Sequence, residues 1–491
     1  MIPHGRHLVA LATVGALLLV GCRKDDDAKT VSPTASSAAA TTTAAGGTET
    51  TTVETTGDTT ADTTADTTAE TTAETTAETT ADTTADTEAP DVEAWTVSLD
   101  DCTDPDAASA PIEGDLRIGA AQPLSGTPAV AFAPVKEGFE LYIKYANANN
   151  LIDGITLTSN IRDDQYDPTQ TPGVVDSLID DGVDIFSGII GSPNNLAVRD
   201  TLNEECIPQL LNLTGAPDWG DVENYPWTTG ALVPYNVESK IYAKSIKDLL
   251  GEGATVGIFA VNNEFGKVFV DAFKDAAAEQ GLEIVEEQSI EPAETTPPTN
   301  QLGALASAKP AAIVAVPLGA QCPTFLKEVV NAKAVNPDWT PLVYQTNTCA
   351  SRLLIDLLAG GAGDGVYTST NLNDPSDAKN AELPGVQVFL GEYAAAGLAG
   401  DLGTTGVGWS VGEYTVNILA KAQESGVLSR QSIIEAARNL EFTPSLTREG
   451  VVYKMNGEAD GFSFQSLVVE QWNQATTSWT DIGELDTEYE N

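Results

Sequence analysis

Histidine is the residue whose distribution says most about the chemistry open to this chain. The 491 residues include two, His4 and His7, and both lie in an N-terminal segment with the pattern of a removable export signal. The mature chain then has no imidazole. Ser-His-Asp and Cys-His catalysis, His-ligated zinc and the usual near-neutral general base are thereby excluded. One hydrolase-like motif remains, Gly408-Trp409-Ser410-Val411-Gly412, which fits G-x-S-x-G. A nucleophile elbow needs a preceding strand and a later histidine, whereas this segment leads into a helix over 414–422, so Ser410 reads as structural and Trp409 as core. Gly266-Lys267 lacks the following Ser/Thr and the earlier glycine of a P-loop. Scattered carboxylates cannot be paired for glycoside hydrolysis from sequence, so a hydrolase remains an alternative with no assigned catalytic residue. No metal site and no cofactor is expected.

Five cysteines carry the remaining thiol chemistry. Cys22 closes Leu19-Val20-Gly21-Cys22, which resembles the bacterial lipobox in which the cysteine becomes the lipidated first residue. The other four, an even number in an exported chain, suggest two disulfides. Cys322 and Cys349 each follow an apolar strand-like run. If those strands are neighbours in a parallel sheet, both cysteines lie at the same edge. The expected pairs are Cys322–Cys349 and, by elimination, Cys102–Cys206.

Composition frames these residues. With 72 acidic against 24 basic residues the formal net charge is −48. That excludes nucleic acid as a partner and a basic face for anionic lipid. Residues 1–22 read as the lipoprotein signal, with an apolar run over 8–20 that is shorter than the roughly 20 residues of a spanning helix. Residues 23–94 read as a disordered tether: a four-residue unit, as in Thr59-Thr60-Ala61-Asp62, leaves almost nothing apolar to bury. Its regularly spaced charges repel and extend it, and at roughly 3 Å per residue some 65 residues reach about 200 Å. A stalk through a cell wall and a plain spacer are equally compatible with it. The acid excess continues into the body, which suggests adaptation to saline surroundings, where self-repulsion is screened.

After a lead-in over 95–114, short β-rich runs alternate with longer amphipathic ones, the pattern of parallel sheets with helices on both faces. Strands are expected at 116–120, 157–161, 185–190 and 209–212, then in a second series at 255–260, 282–287, 313–316 and 342–344. The first helix carries Val135, Phe139, Tyr142, Ile143 and Ala146 at helical spacing. Others are expected at 236–250, 267–280, 323–334, 386–396, 411–422 and 432–440, with late strands near 366–368, 451–453 and 466–471. In open α/β sheets ligands sit beyond the carboxyl ends of the strands.

Several motifs in those loops carry a resemblance. Ala121-Gln122-Pro123-Leu124-Ser125-Gly126 follows the first strand and precedes Phe139-Glu140-Leu141-Tyr142. Then come Asp163-Asp164-Gln165-Tyr166-Asp167-Pro168, Asn263-Glu264-Phe265-Gly266 and Asn373-Asp374-Pro375-Ser376-Asp377. In that order, over about 115–487, the chain resembles the leucine/isoleucine/valine-binding family of type I substrate-binding proteins of ABC importers. The resemblance implies a two-lobed α/β clamp, each lobe a mostly parallel sheet flanked by helices. Three hinge crossovers are expected near 229–234, 366–369 and 442–446. Lobe 1 would combine 115–231 with 368–443, and lobe 2 would combine 235–365 with 446–487. A small polar ligand (amino acid, amide or small carboxylate) would close the lobes, and the closed form would be delivered to the membrane permease. The implied protein is a non-enzymatic monomer on the outer face of the bacterial cell membrane, held only by its N-terminal lipid.

The resemblance also implies site residues. From lobe 1 these are Ser192 and Asn194 in Gly191-Ser192-Pro193-Asn194, Asn212 and Thr214 in Asn212-Leu213-Thr214-Gly215, and Ser125 and Phe132 on the first loop. Hydroxyls and backbone N–H groups suit a carboxylate without fixed positive charge, though the same residues also make turns and helix caps. From lobe 2 they are Phe265, where the family commonly has Tyr, Gln321, and Thr346. Thr346 stands near where amino-acid binders place a carboxylate for the substrate ammonium, yet Tyr344-Gln345-Thr346-Asn347-Thr348 contains no acid. A buried ammonium without an anion is costly, so this departure favours a neutral amide, polyol or small carboxylate unless Asp or Glu reaches in from elsewhere. The alternatives in other classes are a ligand-sensing receptor module of the same fold, which usually carries a transmembrane helix after the binding domain, and a structural surface protein.

Overall fold

The computed structural model describes residues 94–490; the expected signal, Cys22 and all of the tether up to Glu93 lie outside them. Cys102 precedes α1 (Pro105–Ser109), and the chain then enters β1 (Gly114–Gln122), α2 (Ala129–Ala148), β2 (Ile155–Asp163), α3 (Thr171–Asp180), β3 (Ile185–Ser187), α4 (Ser192–Glu204), β4 (Gln209–Asn212) and β5 (Thr228–Gly230). The five strands form one parallel sheet in the order β2-β1-β3-β4-β5.

The second series follows: α5 (Tyr235–Leu250), β6 (Thr255–Val261), α6 (Glu264–Glu279), β7 (Glu283–Ile290), α7 (Thr299–Ala308), β8 (Ala312–Val316), α8 (Gln321–Val335), β9 (Leu342–Gln345) and β10 (Tyr367–Thr370). The chain continues through α9 (Pro384–Ala395), α10 (Leu402–Gln423), α11 (Arg430–Arg438), the short hairpin β11 (Glu441–Phe442) and β12 (Tyr453–Lys454), and finally β13 (Val468–Asn473) and β14 (Ser478–Asp481). The second sheet has seven strands in the order β14-β13-β10-β9-β8-β6-β7. It is parallel from β10 to β7, and β13 and β14 add antiparallel at one edge. This is the expected two-lobed, mostly parallel α/β architecture. Among the described residues no helix is long and apolar enough to cross a membrane.

Local chemistry explains the helix starts. Asn263 caps α6 by accepting the Gly266 N–H at 3.1 Å, Asp401 caps α10 through the Thr404 N–H, and prolines open α3 and α4. Phe265, Phe269, Val270, Phe273, Ala276 and Ala277 then put one stripe of α6 into the core. The closest helix contact joins α2 to α10, where Gly138 and Gly408 let the backbones touch. A Cβ on Gly138 would lie 1.9 Å from the Thr405 carbonyl oxygen, and one on Gly408 would lie 1.9 Å from that of Val135. Two disulfides are present, Cys102–Cys206 and Cys322–Cys349, with Cα separations of 5.4 and 5.8 Å; these are the expected pairs.

Candidate functional site

The loops that leave the carboxyl ends of the strands of both sheets converge on one cavity of ≈ 180 Å³. After β2 comes Tyr166, after β3 Gly191, after β4 Leu213, after β6 Phe265, after β8 Leu318 and after β9 Asn347, all in its wall. Phe132 and Val135 from α2, Leu232 and Tyr235 at the passage into α5, and Val407 from α10 close the rest. The segment from Ser369 at the end of β10 to Pro375, together with Leu446, Glu470 and Trp479, forms the remaining side. Carbon dominates this wall. Among the described residues no Lys or Arg lines it, and its charged groups are Asp374 and Glu470. Burial raises the pKa of Asp374, and it pushes Glu470 up to about 8 against the nearby Arg448 guanidinium at 2.7 Å.

The residues singled out from sequence divide into three groups. Phe132 and Phe265 stand in the wall. Phe132 lies 6.4 Å from Tyr166 in near-parallel orientation, and Phe265 packs 5.2 Å from Tyr235, ring centre to ring centre. Ser192, Thr214 and Thr346 are buried just outside it. The Ser192 and Thr214 hydroxyls bond each other at 2.6 Å beside the Tyr235 phenol, whose pKa burial lifts to about 12. Together they make a cluster of three hydroxyls without a charge. The other four serve the chain's own architecture or stand apart from the wall. Asn194 donates to Asp164 and Thr171, both at 2.9 Å. Asn212 is buried with neither side-chain polar atom hydrogen-bonded. Ser125 is exposed and bonded to Asp163. Gln321 opens α8, where its amide donates to the Glu291 and Glu294 carbonyls and its oxygen accepts the Leu318 N–H.

Sequence reasoning passed over Tyr166 and Glu238. Tyr166 lies in the Asp163-to-Pro168 motif and stands in the cavity wall. Gln165 and Tyr166 both adopt left-handed φ, 56° and 60°, a conformation that costs a non-glycine residue roughly 1 kcal/mol or more. Asp164 holds the turn by accepting the Tyr166 N–H at 3.0 Å and the Thr171 hydroxyl at 2.9 Å, and burial raises its own pKa against those bonds. Glu238 is fully buried in the first turn of α5. Its Oε1 accepts the Asn347 backbone N–H at 2.8 Å and the Ser369 hydroxyl at 3.3 Å, and burial pushes its pKa up to about 7. The acid missing from the Thr346 segment is thus present in space, supplied by another element. Ser410 lies inside α10, buried, with no strand leading into it. Among the described residues no group of three or more His, Cys, Asp or Glu is placed to hold a metal ion.

This arrangement, a ligand-sized cavity between two α/β lobes that both contribute to its wall, is that of an extracytoplasmic substrate-binding protein. Residues 115–475 match the family model of the periplasmic binding proteins, and the chain belongs to that family. A curated relative is the "Leu/Ile/Val-binding protein homolog 2" of Brucella abortus (strain 2308), 28% identical over 115 residues. That stretch is 23% of this chain and spans only 30% of the relative. Among solved structures, a branched-chain amino acid ABC transporter protein from Thermus thermophilus with bound valine superposes with a TM-score of 0.68 at 19% identity, covering 76% of this chain and 97% of that one. A fatty acid ABC transporter substrate-binding protein from Thermomonospora curvata gives 0.65 at 18%, covering 77% and 95%. A solute-binding protein from R. palustris in complex with 4-hydroxybenzoate gives 0.64 at 17%, covering 76% and 97%. These structural likenesses establish the fold.

Proposed function

We propose that the chain is the solute-binding component of an ABC importer, working outside the cytoplasmic membrane. Lobe 1 comprises 115–231 with 371–465 and lobe 2 comprises 235–370 with 467–487; the expected bounds at 368 and 446 move because β10 pairs with β9 and β13 in the second sheet, whereas 446–465 packs on the first lobe, with β12 paired to β11, the Met455 N–H bonded to the Leu440 carbonyl and the Ser463 hydroxyl to that of Gly230. The three crossings, near 229–234, 370–372 and 465–467, let the lobes close on the ligand. Cys22 carries the lipid, 23–94 is the tether, and the closed monomer is delivered to a membrane permease. The observation that carries this reading is the cavity wall itself, contributed by loops of both sheets. A molecule in it touches both lobes and so binds the closed state better than the open one, which is what closure requires. The apolar lining suits a small ligand with a hydrocarbon body. At ≈ 180 Å³ the cavity holds somewhat more than the single ring that fills about 150 Å³. The hydroxyls of Ser192, Thr214 and Tyr235 suit a carboxylate or amide head. Valine, fatty acids and 4-hydroxybenzoate, the compounds for which three of the similar structures are named, all combine such a body with a carboxylate head.

The test is a thermal-shift screen of the full chain, unfolded and refolded to strip copurified ligand, against amino acids, amides, ureas, polyols and carboxylates. A ligand at a hundred times its Kd adds about 2.7 kcal/mol of stability, a clear upward shift in melting. The shift should shrink in Phe265→Ala. If no class shifts melting, the solute-binding reading fails.

A further inference from the structure

At one edge of the cavity, chain segments from the two lobes meet across an apolar contact. From the first lobe comes the tip at 127–132, which joins β1 to the first turn of α2. From the second come the loop after β8, residues 317–320, and the loop after β9, residues 346–350. The Cys322–Cys349 disulfide ties these two loops together. Val130, Ala131 and Phe132 of the tip pack in one cluster with both half-cystines and Leu354. The two half-cystines are completely buried there.

Gly319 records how closely the lobes approach. Its φ is 56°, and a Cβ on it would lie 2.8 Å from Pro128 Cα and 3.2 Å from the Thr127 carbonyl oxygen. Those are backbone atoms of the other lobe, which cannot swing aside as a side chain can. Leu318 beside it, and Ala131 and Phe132 in the tip, all stand in the cavity wall. The contact therefore completes the wall, and the apolar surface it removes from water favours the shut form with or without cargo. Its second-lobe half exists as one surface because the disulfide holds the two loops side by side. Closure and the bond are thus linked, and the linkage runs both ways: what favours closure shields the bond, and what breaks the bond weakens closure.

We propose that the 127–132 tip and the Cys322–Cys349 disulfide form a redox-sensitive clasp, in which the shut clasp shields the disulfide from reductants and the intact disulfide holds the cleft shut. From the solute-binding reading this takes only that the lobes move. The reductant is a dithiol. One of its thiolates attacks a cystine sulfur, forming a mixed disulfide and freeing one cysteine; its second thiolate then displaces the other cysteine and closes a cyclic disulfide. Two electrons pass from the dithiol to the cystine, and the two protons the dithiol gives up end on the cysteine thiols. Attack needs access to sulfur, which the seated tip denies.

The experiment treats the full chain, unfolded and refolded with its disulfides intact and with no ligand added, with dithiothreitol under native conditions. Freed thiols are alkylated and followed by peptide mass spectrometry. Gly319→Ala unseats the clasp from the second lobe and Val130→Asp from the first. An acid in the first turn of α2 suits that helix, so Val130→Asp keeps α2 while setting a charge against the sulfurs. In both variants Cys322–Cys349 should be reduced ten times or more faster than in the parent. Cys102–Cys206, which joins the lead-in segment to the first lobe, should be reduced at the parent's rate. With Cys322→Ala and Cys349→Ala combined, amide hydrogen exchange should speed up tenfold or more at 129–135, in the lobe that this disulfide does not touch covalently. Melting curves confirm that each variant is folded. If Val130→Asp, which leaves the loops of the disulfide unaltered, is reduced no faster than the parent, the clasp does not shield and the inference is overturned. An acceleration shared by Cys102–Cys206 overturns it as well, because it marks general loosening. So does unchanged exchange at 129–135 without the disulfide. None of these outcomes bears on the solute-binding reading, which fails only on a silent ligand screen.

Discussion

Glu238→Gln makes a prediction about stability without any ligand that can be worked to a magnitude. An isolated glutamate titrates near 4.5, and in the folded protein burial moves Glu238 up to about 7. Below pH 4.5 the carboxyl is protonated in both states and contributes nothing. As pH rises from 4.5 to 7 the unfolded chain gives up this proton while the folded chain keeps it, so folding loses about 1.4 kcal/mol per pH unit. The loss reaches about 3 kcal/mol and is constant above 7. Glutamine at 238 keeps the shape and cannot ionise, so it escapes the loss. Urea unfolding of both proteins at pH 4.5 and pH 8, disulfides intact and ligand stripped, isolates this effect because every other titrating group is common to both. The variant should gain on the parent by about 3 kcal/mol between the two pH values. A gap that does not change with pH would refute the reasoning, because it would mean that some neighbouring group already compensates the charge.

Four further outcomes are expected. Gly408→Ala should lower the unfolding free energy by roughly 3 kcal/mol or more, since its Cβ would meet the Val135 carbonyl oxygen at 1.9 Å; Gly391→Ala in α9, with open space around it, should be neutral or stabilise by up to about 1 kcal/mol in the same urea assay. Removing both cysteines of the Cys102–Cys206 pair, which closes 104 residues, should cost about 5 kcal/mol on loop entropy, against about 4 for Cys322–Cys349, which closes 27; equal or reversed losses in melting experiments would count against that account. A fluorophosphonate probe should leave Ser410 unlabelled, and Ser410→Ala should bind ligand as the parent does, because the serine lies buried inside α10. Melting temperature should rise with added NaCl, given the net charge of −48; a flat or falling curve would argue against adaptation to saline surroundings.

The strands were the most legible part of the fold. The run expected at 255–260 is β6 (Thr255–Val261), and that at 209–212 is β4 (Gln209–Asn212), because a buried parallel strand needs a short unbroken apolar run. Where reading and structure differ, the cause is local backbone or distant packing. The run at 185–190 yields only Ile185–Ser187, since Gly188 turns to a φ of 79° and ends the extended conformation. Helix α10 begins at Leu402, nine residues before the expected start at 411. Its N-terminal half is glycine-rich and has poor intrinsic propensity; Gly408 and Gly412 are accounted for by close approach to α2, more than 250 residues earlier in the chain, and Gly406 by contact with Pro375.

The site shows the same division. Phe132 and Phe265, put forward by the family resemblance, stand in the cavity wall on the first turns of α2 and α6. Tyr166 was not legible, because the left-handed turn that presents it depends on side-chain bonds from Asp164 and not on a glycine. By itself, the sequence determined the α/β class, because alternating short and long periodic runs are a local pattern, and the order of its loop motifs carried the family resemblance. Only the tertiary structure decided how charge is arranged at the cleft. In the sequence Glu238 is an ordinary acid in a first helical turn, and the Thr346 segment has no acid at all. Folding brings the two together across more than a hundred residues and removes the water that would otherwise screen the carboxylate, and desolvation depends on every element packed around a group, which no local pattern records.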